Sequence, residues 1–262
     1  MSRKRIFNMV GILILVLILA VAIFVMQKER RVKIIASAGE VIGEAVVIKP
    51  KLEIEVAEEL LNKPRLYVYD PPLKIKAIYK SIDEAKNKTP EELMISIRSA
   101  DTQEWLNYNT KGGKAHKADP EKLAKRHAYD PDLYYFELIH KLEFERNDTP
   151  IVIIKYWFVD GGKRTLIAEA WLEKINGRWV RGAATYNETE NLAELVRIVK
   201  TEYLQDIITG RRSKNDLVNE LARKSRRRGV FDMDLLSKEF DLLLSTEEGI
   251  QKLIEICDRP EQ

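Results

Sequence analysis

The chain has 262 residues with 44 basic and 41 acidic side chains, so its charge nearly balances and a global bias towards nucleic acid is excluded. Its one cysteine, Cys257, excludes an intramolecular disulfide and a cysteine-based metal site. The three histidines, His116, His127 and His140, lack metal-ligand spacing, and no phosphate-binding glycine loop or nucleophile motif occurs; no cofactor or metal is expected.

Ile6 to Met26 is an apolar stretch without a charged residue, and Asn8 is its only side-chain amide. At about 1.5 Å per residue it is long enough to cross a hydrocarbon core of roughly 30 Å. A cleaved signal would be shorter and followed closely by small residues. Here the run ends in Gln27-Lys28-Glu29-Arg30-Arg31, and Ala36-Ser37-Ala38 comes only after that charged block. No cysteine follows the span that would carry a lipid. The expectation is an uncleaved, single-pass signal-anchor in the cell membrane. Arg3, Lys4 and Arg5 precede the span, while Lys28, Arg30, Arg31 and Lys33 follow it. The positive-inside counts nearly tie, and the short basic tail favours a cytoplasmic N-terminus with the main domain outside the cytoplasm.

About 235 residues remain beyond the span, enough for one or two domains with a real core. Segment 27–72 reads as a strand-containing stalk or sheet extension, with period-two alternation over Lys51 to Val56 and a further strand at Leu66 to Tyr69. Thr89-Pro90-Glu91-Glu92 opens a helix: threonine caps, proline suits the first turn, and glutamate completes a capping box. That helix is expected to run towards Trp105 and Leu106. Asp119-Pro120-Glu121 starts a shorter one.

The period then changes to two. Tyr134, Phe136, Leu138, His140, Leu142 and Phe144 alternate with mostly polar residues and predict a strand with one apolar face. Ile151 to Val159 is apolar on both faces apart from Lys155, as in a central strand. Asn147-Asp148, Gly161-Gly162 and Asn176-Gly177 supply turns, giving a four-stranded antiparallel meander that ends with Trp179 to Tyr186. Glu190 to Ile208 has the spacing of one helix face, ended by Gly210. Three more helices follow, at Asn215 to Ser225, Asp234 to Leu244 and Thr246 to Ile256. The expected class is α+β, divided into 1–5 (basic tail), 6–26 (span), 27–72 (stalk), 73–188 (α+β domain) and 189–262 (helical tail).

The helix start at Thr89-Pro90-Glu91-Glu92, followed by a long meander with Asn176-Gly177 and Arg178-Trp179 at its last strand, resembles the nuclear transport factor 2-like, or SnoaL-like, cone fold. The likeness covers about Ile75 to Asn187. The span-then-cone layout also resembles the inner-membrane scaffold subunits of bacterial secretion and conjugation machines, although the helical tail lies outside that pattern. The resemblance implies helices packed on a curved sheet; the fold hosts isomerases, dehydratases and inert scaffolds alike.

Counting register from the turns sets His140 opposite Lys155 and Leu138 opposite Trp157. The same face then takes Ala168, Ala170 and Leu172, and through the last turn Arg181, Ala183 and Thr185. His140, Lys155, Arg181 and Thr185 thus form a candidate pocket for a small anionic ligand, with His140 as acid or base. The structural alternative is a satisfied core histidine, with the Lys and Arg stems running to solvent. His127, Asp130 and Tyr134 are placed near the cone mouth. Trp105, Trp157, Trp171 and Trp179 are read as core or sheet-surface residues.

The tail segregates charge. Arg211 to Arg228 holds eight bases against Asp216 and Glu220, and Asp232 to Glu261 holds nine acids against three bases. Arg211, Arg212, Lys224, Arg226, Arg227 and Arg228 are candidates for contact with anionic lipid or nucleic acid. The alternative is internal pairing of the basic and acidic helices. The favoured function is a membrane-anchored, non-catalytic interaction or assembly domain with a protein partner or a second copy. A ligand-binding or enzymatic cavity around His140 is the alternative, and nucleic acid is not an expected partner.

Overall fold

A computed structural model describes residues 64–182 and 189–258, with the side chains of residues 189 and 190 left out. The apolar stretch 6–26, most of the stalk and the Ala183–Thr185 end of the last expected strand lie outside the described residues. Among the described residues no helix is long and apolar enough to cross a membrane.

The described residues have a mixed α+β fold built on one five-stranded antiparallel sheet in the order β1-β2-β3-β4-β5. Strand β1 is Arg65–Ile75, at the edge, and extends the meander by one strand. The meander itself is β2 (Tyr135–Arg146), β3 (Thr149–Asp160), β4 (Lys163–Ile175) and β5 (Arg178–Arg181). Each connection is a two-residue turn at the expected place, with positive φ at Asn147, Asp148, Gly161, Gly162, Asn176 and Gly177. That geometry matches the right-handed strand twist, and asparagine and glycine tolerate it best.

Among the described residues three α-helices precede the meander. Helix α1 (Pro90–Ser99) starts where the sequence places it: Thr89 Oγ1 accepts the Glu92 N–H at 3.1 Å, and Glu92 reaches back to the Lys88 N–H at 2.7 Å. It stops early. Thr102 caps a separate helix α2 (Gln103–Tyr108), so the single helix expected through Trp105 is two. Helix α3 (Pro120–Ala124) is capped by Asp119.

The tail is the second surprise in layering. Helices α4 (Thr189–Ile198) and α5 (Thr201–Thr209) replace the one helix expected over 190–208. They are followed by α6 (Asp216–Lys224), a short ribbon of β6 (Arg226–Arg227) and β7 (Val230–Phe231), then α7 (Met233–Leu244) and α8 (Glu247–Ile256). Leu93 and Met94 of α1 pack with Phe136, Leu138, Ile154, Tyr156 and Leu172 on one sheet face. Leu142, Phe144, Ile153 and Trp171 on the other face pack with Leu195, Val196, Leu204, Ile207, Phe240 and Ile256 of the tail. The tail is therefore the second layer on the sheet, and β3 is buried on both sides.

The expected register is corrected by two bulges. Leu138 pairs with Tyr156 while His140 pairs with Lys155, so Ile139 is an extra residue in β2. Phe158 pairs with Leu166 while Val159 pairs with Arg164, so Thr165 is an extra residue in β4. A bulge adds one residue and turns every later side chain over. Strand β2 consequently does not have one apolar face: Phe136 and Leu138 look towards α1, and His140, Leu142 and Phe144 look towards the tail.

Candidate functional site

The α1-side face opens into a cleft of about 630 Å³ at the end of the sheet where β2 begins and β3 ends. Its walls are aromatic. Phe136 and Phe158 meet edge to face at 5.0 Å between centroids, Tyr156 lies 5.1 Å from Phe136 and 5.3 Å from Phe158, and Tyr129 and Tyr134 pair at 4.9 Å. Alternation on twisted strands brings Phe136, Tyr156, Phe158, Leu166 and Ala168 to the same face. Ala168 is small opposite Tyr156, and this pairing leaves room between the walls.

Three arginines border the cleft, and two are tied to main chain. Arg98 donates to the carbonyls of Lys76 at 3.1 Å and of Tyr134. Arg126 donates to Ile97 O at 3.0 Å and Ala100 O at 2.9 Å, closing the carbonyl end of α1. Arg181 is different: it is exposed, its own N–H is held by Asn109 O at 2.7 Å, and its guanidinium lies near the Tyr156 phenol. Burial pushes the Tyr156 hydroxyl up to about 12, with Arg181 acting against the rise. Burial also raises the Glu169 carboxyl, opposed chiefly by Arg197, with which it pairs at 3.2 Å. The cleft thus offers an apolar slot bordered by the Tyr156 hydroxyl, the Arg181 guanidinium that no main-chain carbonyl among the described residues ties down, and the Asp160 and Glu169 carboxylates.

The four residues expected to share a pocket do not share one. His140 and Lys155 stand opposite each other, as expected, but on the tail-side face. Arg181 pairs with Leu172 on the α1 side and lines the aromatic cleft, and Thr185 lies outside the described residues. The Thr165 bulge is what separates Arg181 from His140. His140 is fully buried, with Nδ1 3.0 Å from Thr201 Oγ1, and burial with the nearby Lys155 ammonium lowers it to about 3, so the ring is neutral. Lys155 donates to Val199 O at 2.7 Å and to Asp258. Both side chains join sheet to tail, and neither lines the cleft.

Of the residues expected near the cone mouth, Tyr134 lines the cleft. His127 Nε2 instead hydrogen-bonds Ser99 O at 2.8 Å, and Asp130 accepts the Asp132 N–H at 2.8 Å in a turn. Trp105, Trp171 and Trp179 are buried, while Trp157 lies under the Arg164 guanidinium. Among the described residues no group of three or more His, Cys, Asp or Glu could hold a metal ion. The aromatic cleft itself was within reach of the sequence, since Tyr134, Phe136, Tyr156 and Phe158 fall at period-two positions; only the bulges hide that they share a face.

The expected anionic-contact residues also divide. Lys224 pairs with Glu220 at 2.9 Å and across to Glu239 of α7 at 3.0 Å, the internal pairing offered as the alternative. Arg226 donates to Ile207 O at 3.1 Å and Ile208 O at 2.8 Å. Arg227 is 4.0 Å from Asp232, and Arg228 occupies the ribbon turn with φ of 52°.

Comparison with protein-family models, with characterised proteins and with solved structures finds no significant match to this chain.

Proposed function

We propose that this chain is a membrane-anchored, non-catalytic interaction and assembly domain at the cell envelope, and that the aromatic cleft is where it takes hold of its partner. The observation that carries this is the cleft's chemistry: an apolar slot of about 630 Å³ with Tyr156 and Arg181 at its edge. Such a slot suits an apolar or aromatic group ending in a carboxylate, as on a partner's side chain or chain end. The apolar run 6–26 supports the anchor, and the short basic tail before it supports a cytoplasmic N-terminus. The order of helices before the meander supports a nuclear transport factor 2-like reading of residues 73–188. The enzymatic alternative centred on His140 loses its main support, because that ring is enclosed between sheet and tail.

The test uses anilinonaphthalene sulfonate, an aromatic anion that fluoresces when it leaves water, with the full chain in a nonionic detergent. Binding above the detergent background should be lost in Ala168→Trp, which fills the slot, and weakened about tenfold in Arg181→Gln. Equal binding by both variants would remove the cleft from consideration. Protease added to spheroplasts should digest the folded part; digestion only after lysis would reverse the orientation.

A further inference from the structure

We propose that the turn between α5 and α6 forms an arginine socket for a phosphate-class anion, independent of the aromatic cleft. Arg211, Arg212, Arg223 and Arg226 line one depression of about 450 Å³ together with Gly210 and Asn219. A second depression of about 440 Å³ beside it shares Arg212 and Asn219 and adds Lys214 and Asp216.

Two of the bases, Arg226 and Arg211, are held in place by side-chain contacts. Arg226 runs beneath Gly210 to reach the last carbonyls of α5, Ile207 O and Ile208 O, and the Ala222 carbonyl, with Phe231 stacked 5.3 Å from its guanidinium carbon. Gly210 has φ of +74°, which favours glycine, and a Cβ there would meet Arg226 Nη2 at 2.7 Å and push that side chain aside. Asn219 then fixes the turn: its Nδ2 donates to Ser213 O at 3.0 Å and its Oδ1 accepts the Ser213 N–H at 2.8 Å. Asn215 caps α6 through the Val218 N–H at 3.1 Å. Arg211, Arg212 and Lys214 therefore project from a braced loop, and a ligand need not order it.

The charge is uneven. Arg211 pairs with the buried Asp206 at 2.6 Å, whereas among the described residues no carboxylate forms a salt bridge with Arg212, Arg223 or Arg226. With Arg226 bound to carbonyls and Arg211 paired with Asp206, Arg212 and Arg223 are the guanidinium groups of the socket turned towards a phosphate anion. The planar guanidinium fork matches phosphate oxygens in pairs. The α6 surface argues against insertion into a nucleic-acid groove, since Asp216 and Glu220 are exposed along it between the two basic ends. The phosphate can come from a lipid headgroup or from a free phosphate compound.

The full chain in nonionic detergent is titrated with inorganic pyrophosphate and, separately, with glycerophosphoglycerol, the headgroup phosphate without its acyl chains. The readout is phosphorus NMR line broadening. At least one of the two should bind, and the double variant Arg212→Gln/Arg223→Gln should weaken that binding by about tenfold or more. The preferred titrant identifies the source. Both substituted residues are exposed, so the variant should unfold at the same temperature as the parent. Lys163→Gln, in the distant β3–β4 turn, should bind as the parent does. Absence of binding by both titrants, or equal loss in Lys163→Gln, would overturn the socket, as would undiminished binding by the double variant.

Discussion

Lys155 lies in the centre of the central strand with its side chain 1% exposed, where an ammonium group would be costly without partners. Val199 O and Asp258 provide them, and both come from the tail. Burial still holds the Lys155 ammonium below its usual value, with Asp258 pulling the other way. Beside it His140 is neutral because its pKa falls from 6.5 to about 3 on folding. The unfolded chain therefore takes up a proton as pH drops through 6.5, and the folded chain does not until about 3. Stability attributable to this residue is complete above that window and declines within it, by roughly 3–5 kcal/mol at its acid end. His140→Gln should flatten this part of the acid limb in urea unfolding followed from neutral pH down to pH 4. A parallel decline in parent and variant would show that carboxylates alone set it.

The joint between α4 and α5 shows why one periodic run became two helices. The run from Leu192 to Ile207 keeps helical spacing, and nothing local marks a stop. Yet Val199 forms a bridge with Cys257, Lys200 N–H donates to Ile256 O at 2.9 Å, and Asp258 N–H donates to Ile198 O at 2.7 Å. The end of α8 takes over main-chain groups at the break and frees the Val199 carbonyl for Lys155. Ending the chain after Ile256 should cost about 2 kcal/mol, below the usual penalty for breaking a buried pair because Asp258 is partly exposed. Urea unfolding checks this; an unchanged midpoint would mean the bridge adds nothing to the stability of the joint. The cap at Thr89 was legible because it depends on neighbours within three or four residues. The break at Val199 depends on a segment nearly sixty residues away, so no local signal could announce it.

At the scale of the chain, the sheet has apolar side chains on both faces and needs two layers of helices to cover them. The first layer lies between β1 and β2 in sequence and the second follows β5. The tail therefore belongs to the same core as the meander. The remaining whole-molecule expectation concerns the apolar N-terminal run. The full chain should stay with membranes through alkaline carbonate extraction, and deletion of residues 1–31 should release it. Recovery of the full chain in the soluble fraction would end the proposal of a permanent anchor.

The amino-acid sequence by itself determined the antiparallel meander, its three two-residue turns, the Thr89 helix cap and the pairing of His140 with Lys155, because each follows from side-chain period or from chemistry a few residues apart. Only the tertiary structure decided which face each side chain occupies. Ile139 and Thr165 each add one residue to an otherwise regular ladder, and a single extra residue exchanges the two faces of everything beyond it. That is why an expected pocket of His140, Lys155 and Arg181 became a sealed sheet-to-tail contact on one side and an aromatic cleft on the other.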